Sequence, residues 1–347
     1  MNFCSDNTAG VHPKILAALA EANRGAAMPY GNDELTRRVE RKIADIFERD
    51  CAVLLVGTGT AANALALAAL APNYGSVFCH PESHINMDEC GAPEFFTGGA
   101  KLIGVPGPHG RLAPDDLDRA IRAAGAGVVH HAQPAAVSIT EATEAGTIYR
   151  PADIAAIAEV TQRHGLALHM DGARFANALV HADCSPAELT WRCGIDALSF
   201  GATKNGAFAA EAIVFFDARR AEGLGFRRKR GGHLWSKMRF LAAQFDAYLA
   251  GDLWLANARH ANRQAKVLAE GLAAIRGAKL EHPVEANEIF VTLPEKVVSG
   301  LEVDGFKFYR WHGPGTTLLR LVTAFDTDPQ HVTAFLASAR RHAAAAA

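Results

Sequence analysis

Apolar positions in this chain recur with two different periods. Along residues 32–47, Leu35, Val39, Ile43 and Phe47 return every four positions between charged side chains, which predicts an amphipathic helix. Residues 13–22 predict a shorter helix, with Pro13 at its first position and Gly25 as a stop. Short apolar runs predict strands at 52–56, 77–79, 102–105, 128–132, 137–140, 166–170, 197–200 and 212–216. Between them, 61–69, 114–124 and 151–164 read as helices, with Leu117 and Ile121 turned inward on the second. Strands alternating with helices of this length imply an α/β fold whose mostly parallel sheet is flanked by helices on both faces.

After Phe216 the pattern changes. Residues 234–275 are largely helical with a break near Gly251, and the tail reads strand, helix, strand, strand, helix, closing at 329–342. A small C-terminal α+β domain over 251–347, beside a large domain over 1–250, accounts for both halves. No internal repeat is visible, and the alanine run 343–347 is too short to matter.

The longest uncharged stretch, 51–72, is long enough to span a bilayer. It contains Gly57-Thr58-Gly59-Thr60 and Asn63, which divide a β-branched run from an Ala/Leu run, so it reads as strand, turn and buried helix. No membrane association is expected. Lys and Arg number 35 against 37 Asp and Glu in 347 residues, a net charge of −2. That balance argues against a nucleic-acid partner, although Arg227, Arg228, Lys229 and Arg230 form a basic run. The first residues carry no signal-peptide pattern. The six cysteines include no CxxC and no zinc spacing, so no metal is expected, and free thiols in a reducing cytoplasm are the reading.

Three features carry chemistry. Gly57-Thr58-Gly59-Thr60-Ala61-Ala62 follows a strand and opens a helix, where small residues let backbone N–H groups approach an anion. The loop also fits the dinucleotide fingerprint, with Glu82 placed as a ribose-binding acid, so a NAD-dependent dehydrogenase competes. A tight turn with no ligand is the plainer alternative. Asp171 ends an apolar run in His169-Met170-Asp171-Gly172-Ala173-Arg174, at the strand edge where open α/β sheets bind ligands. It would equally serve as a helix cap. Lys204, in Gly201-Ala202-Thr203-Lys204-Asn205-Gly206, lies just beyond a later strand among small residues. Most lysines are surface groups, but one held in a crevice becomes an amine nucleophile. Together, an anion loop, an acid and an amine are what pyridoxal 5'-phosphate (PLP) requires: a Schiff-base lysine and a carboxylate that keeps the pyridine nitrogen protonated.

At this point the chain resembles the threonine aldolases among the fold-type I PLP-dependent enzymes, in particular the bacterial low-specificity and phenylserine aldolase-like subgroup. The resemblance runs through Ser5-Asp6-Asn7-Thr8, Pro29-Tyr30-Gly31-Asn32-Asp33, the glycine loop, Ser83-His84-Ile85-Asn86, Asp171-Gly172-Ala173-Arg174, Thr203-Lys204 and Leu319-Arg320-Leu321-Val322-Thr323. It implies that Lys204 holds PLP, Asp171 pairs with the pyridinium, and His84 stacks on the ring and is first candidate for the general base. It further implies that Gly59 and Thr60 bind the phosphate. Ser5, Arg174 and Arg320 would hold the substrate carboxylate, Arg174 also reaching the cofactor's phenolic oxygen. Tyr30 would line the site from a neighbouring subunit of a homotetramer, and basic residues near 227–230 would help with the phosphate.

One departure stands out. Where many of these enzymes carry a histidine touching the substrate hydroxyl, this chain has Glu144, in Glu141-Ala142-Thr143-Glu144. His130 and His131 read as structural. The implied reaction is retro-aldol cleavage of an L-β-hydroxy-α-amino acid, of the threonine, allo-threonine or phenylserine type, to glycine and an aldehyde. A PLP-dependent β-eliminating lyase or aminotransferase is the alternative on the same scaffold, and a non-catalytic binding module the alternative outside enzymes.

Overall fold

The apolar runs do form strands, and their order brings every strand end that carries chemistry to one edge. In the computed structural model, which describes residues 1–344, a seven-stranded sheet is built from β1 (Ala52–Val56), β2 (Gly75–Cys79), β3 (Lys101–Gly104), β4 (Gln133–Thr140), β5 (Ala167–Gly172), β6 (Ala197–Gly201) and β7 (Glu211–Phe215). The order is β1-β7-β6-β5-β4-β2-β3. Strands β2 to β6 pair in parallel, while β7 runs antiparallel to both β6 and β1. The first helices are α1 (Pro13–Ala22), α2 (Glu34–Ile46), α3 (Gly59–Leu70), α4 (His84–Met87), α5 (Ala92–Thr97), α6 (Pro114–Ala123) and α7 (Pro151–Arg163). They continue with α8 (Phe175–Ala182), α9 (Leu224–Arg230), α10 (Arg239–Tyr248) and α11 (Leu253–Ala273). The fold is the expected α/β arrangement.

A second, antiparallel sheet of order β10-β11-β9-β8 follows, made of β8 (Lys279–Leu280), β9 (Glu288–Thr292), β10 (Tyr309–Arg310) and β11 (Leu318–Val322). It carries α12 (Glu295–Val303) and α13 (Pro329–Ala344). Its apolar core takes Phe3 from the start of the chain and Ala265, Leu268 and Leu272 from the second half of α11, whose first residues, Leu253, Trp254 and Ala258, pack in the large-sheet core. Of the terminal alanine run, residues 345–347 lie outside the described part.

The stretch 51–72 divides as its glycines suggest. β1 ends at Val56, and the Thr58 hydroxyl caps α3 by accepting the Ala61 N–H at 3.2 Å. Among the described residues no helix is long and apolar enough to cross a membrane. One expected strand is absent. Residues 128–132 form turns, with Val129 95% exposed, because Gly125 and Gly127 take positive φ and the Gln133 side chain bonds Gly127 and Val128 across the bend. His130 and His131 sit in that turn, and the strand containing 137–140 starts only at Gln133.

Two glycines decide how closely β5 and β6 deliver their ends. A Cβ on Gly172 would lie 2.7 Å from the Ser199 carbonyl oxygen, and one on Gly201 would lie 2.7 Å from the Ala173 carbonyl oxygen. Only bare backbone permits that approach, which sets Asp171 and the Lys204 turn side by side. Behind them Phe200 is fully buried against Phe47, Phe175, Phe245 and Trp254. Phe200→Ala removes the ring shared by all four and is expected to lower unfolding free energy by about 3–5 kcal/mol. Urea denaturation of the purified protein measures this; a loss below ~1 kcal/mol would contradict the packing described.

Candidate functional site

The carboxyl ends of β4, β5 and β6, the start of α3 and the start of β7 enclose a cavity of about 360 Å³. Lys204, Asp171, His84, Gly59, Thr60 and Arg174 all line it. A second cavity, about 770 Å³, adjoins it toward the small sheet and is lined by Ser5 and Arg320. Asn7, His84, Glu144, Arg174 and Lys204 line both. Glu82 lines only the outer one, so the ribose-binding position expected of a dinucleotide site is not formed beside the Gly59 loop.

Each side chain is placed by its local structure. Asp171 is the fifth residue of β5 and is buried. Its Oδ2 accepts from Asn63 Nδ2 at 2.8 Å and its Oδ1 from the Ala173 N–H at 3.0 Å. The same Asn63 nitrogen donates to Glu89 Oε1 at 2.8 Å, and that oxygen lies 2.8 Å from His84 Nδ1. The hydrogen bond His84 donates to the Glu89 carboxylate raises the His84 pKa, with the Asp171 charge acting the same way against burial. Lys204 sits in a single 3₁₀ turn, Thr203–Asn205, held by Asn205 Nδ2 donating to the Tyr248 hydroxyl and the Trp254 carbonyl, both at 2.8 Å. Glu211, across the cavity wall, is pushed by burial up to about 7 against the pull of Thr203 and Lys204.

The residues lining the inner cavity fit the needs of PLP. The amides of Gly59 and Thr60 open α3, where no preceding carbonyl can accept from them. A Cβ built on Gly59 meets nothing within 4 Å, leaving room for an anion. Asp171 offers a carboxylate to a ring nitrogen, and Lys204 offers the amine. His84, Glu89 and Asp171 also place ligand atoms within 4.8 Å of one another, a spacing a cation could use. The Asn63 amide already donates to both carboxylates there, which favours a single proton-bearing nitrogen over a metal.

Charge on the substrate side is arranged less simply than the resemblance implies. Arg174 is buried and donates from Nε and Nη2 to Asp6 at 2.7 and 3.0 Å, with Nη1 3.0 Å from Glu288. Burial disfavours the Asp6 charge, yet Arg174 and Lys204 hold its carboxyl below the ordinary range. Arg320, from β11, uses Nε and Nη2 on the Glu288 carboxylate, and its Nη1 bonds no other described residue. Asn287 Nδ2 adds a bond to Asp6 at 3.1 Å. Ser5 turns its hydroxyl to the Asn7 N–H at 3.1 Å. Both arginines thus carry chain carboxylates.

Tyr30 is not brought to this cavity within one chain. It lies 44% exposed under the Lys229 ammonium, 4.8 Å from the ring centre, beside a separate hollow lined by Phe226 and Arg228. Of the basic run, Arg228 is the one tied inward, through the Leu55 carbonyl. Sequence reasoning missed Asn63, Glu89, Glu211, Asp6 and Glu288. Asn63 was the one polar side chain in an Ala/Leu helix, a readable signal. Glu89 and Glu211, two of the three glutamates that line the inner cavity, carried none.

Three comparisons agree with this geometry. The family model described as beta-eliminating lyase matches residues 2–296. A low specificity L-threonine aldolase of Pseudomonas aeruginosa is 46% identical over 95% of this chain and 94% of its own length. One from a Pseudomonas species is 43% identical over 97% and 96%. A solved structure of Leishmania major threonine aldolase superposes with a TM-score of 0.93 at 29% identity, covering 99% of both chains. With most of its length matched, and a buried acid, a lysine and an open helix start meeting in one cavity, the chain belongs to the beta-eliminating lyase family, in its low-specificity L-threonine aldolase branch.

Proposed function

We propose that the protein is a PLP-dependent carbon–carbon lyase that cleaves L-β-hydroxy-α-amino acids to glycine and an aldehyde. The observation that carries this is the meeting of Lys204, Asp171 and the Gly59–Thr60 amides in one cavity. PLP, when bound, supplies the sink for the electrons of the breaking Cα–Cβ bond. The chain supplies the rest. Lys204 holds the cofactor covalently, the Gly59 and Thr60 N–H groups hold its phosphate, and Asp171 keeps the proton on its ring nitrogen. His84, fixed through Glu89, covers the ring face. Arg320 Nη1, with Ser5 and Arg174 nearby, would hold the substrate carboxylate and so select which bond at Cα is presented for cleavage.

A homotetramer with shared sites, in the cytoplasm, completes the reading. The exposed Tyr30, Met28 and Phe226, of little use to a lone subunit, support the first part. The unpaired state of all six cysteines is in keeping with the second.

Incubation of the PLP-loaded protein with L-threonine, L-allo-threonine and L-phenylserine should release glycine and the matching aldehyde. A keto acid and ammonia would mean elimination instead. Lys204→Ala should lose both the visible absorbance of bound PLP and multiple turnover; normal turnover in that variant would overturn the lysine assignment. Asp171→Asn keeps the shape and one of the two acceptor oxygens but cannot hold a pyridinium proton. Its kcat should fall about 10²–10³-fold while PLP stays bound, the loss typical of removing one electrostatic partner of the reacting centre. An unchanged kcat would remove Asp171 from the mechanism.

A further inference from the structure

Glu144 lies in the loop leaving β4 and is the only carboxyl residue, among those described, that lines both cavities. Its Oε1 is pinned: the His84 backbone N–H donates to it at 2.7 Å and the Thr140 hydroxyl at 3.0 Å. The N-cap residue of α4, Ser83, makes no such bond with its own side chain, so Glu144 caps that short helix from across the cavity. Its other oxygen, Oε2, is buried and has no hydrogen-bond partner among the described residues. An acceptor in that state is costly unless some donor arrives.

The surroundings decide what donor suits it. His84 faces it from α4, Thr140 from β4, Asp171 from β5, and Arg174 from the turn after β5. Cys79 at the end of β2 and Tyr149 before α7 also feel its charge. Burial, helped by the Asp171 charge, pushes the Glu144 carboxyl up to about 7 against the pull of the His84 N–H and the Thr140 hydroxyl. The His84 pKa is raised as well, because Glu89 favours its protonated ring. At the junction of the cavities one group is set to carry a proton and the other to exchange one.

We propose that Glu144 is a catalytic residue that takes the β-hydroxyl proton of the substrate as the Cα–Cβ bond breaks. The proposal rests on the aldol-cleavage reading above. The O–H bond breaks, its electron pair becomes the second bond of the aldehyde C=O, and the proton moves to the Glu144 carboxylate. The Cα–Cβ pair stays with the glycine fragment, whose Cα then takes up one proton. One proton is lost and one gained, so no oxidant or reductant is needed. Glu144, and not His84, is then the base.

The test uses the PLP-loaded protein, with L-threonine and L-phenylserine as substrates. Glu144→Gln keeps a carbonyl oxygen for the His84 N–H and the Thr140 hydroxyl but cannot take a proton. It should retain the PLP absorbance and a KM within about threefold, while kcat falls on the order of 10²-fold or more. In the parent, kcat should drop as pH falls through about 7, where Glu144 becomes protonated, and this limb should vanish in the Gln variant. Glu144→Asp should recover part of kcat and show an acid limb again, displaced from the parent's. A Gln variant with parental kcat and limb reduces Glu144 to a helix cap and overturns the proposal. Should the Gln variant fail to fold, the Asp variant decides: a displaced limb supports the proposal and an unmoved one refutes it. Absence of glycine and aldehyde from the parent itself would sink the aldol reading and this proposal together, and is seen before any variant is made.

Discussion

A chain of alternating charges holds the two sheets of this protein in one arrangement: Asp6, Arg174, Glu288 and Arg320. The four come from the N-terminal segment, the turn after β5, β9 and β11, so no single element could satisfy them. Asp6, Arg174 and Glu288 are buried, and burying charge is tolerated only where each has its opposite in reach. Removing Arg174 would leave the buried Asp6 without its arginine, at about 3–5 kcal/mol. Replacing the whole ladder by apolar residues could be neutral for stability, so its use lies in register. It fixes where Arg320 stands relative to Lys204, and the outer cavity exists between those two side chains.

A second economy is visible at Asp171. One amide nitrogen, Asn63 Nδ2, bonds both Asp171 and Glu89, and Glu89 in turn holds the ring of His84. Asp171 and His84, proposed for the ring nitrogen and the ring face, are therefore oriented by one residue on α3, the helix whose first amides are proposed for the phosphate. Three groups proposed to contact a single flat cofactor share one rigid element, which preorganises them together.

Legibility in the sequence followed the physical range of each interaction. Local signals were readable: the four-residue apolar spacing on α2, the proline opening α1 and the glycines that divide 51–72 all describe what neighbours in sequence do. The 128–132 run failed because β-branched residues alone cannot distinguish a strand from a turn whose glycines take positive φ. Asp171 was visible because it ends an apolar run, and Lys204 because it sits just beyond an apolar strand. Glu288 was not, since a glutamate opening a short strand becomes informative only when Arg174 and Arg320 arrive from elsewhere. For the same reason the resemblance implied carboxylate contacts for Arg174 and Arg320 without showing that in the fold Arg174 bonds Asp6 and Glu288, and Arg320 bonds Glu288. Glu144 was noticed as a departure, but its burial and its bond to the His84 amide are properties of the loop, not of the motif.

Helix α11 begins in one core and finishes in the other, and the core beneath the small sheet also takes in Phe3. Anyone recombining this scaffold with a relative meets a practical rule. A crossover placed at the start of α11 would carry away the helix but strand the phenylalanine on the wrong parent, so the exchangeable block is discontinuous. A viable hybrid inherits the opening residues and the closing third of the chain from the same donor.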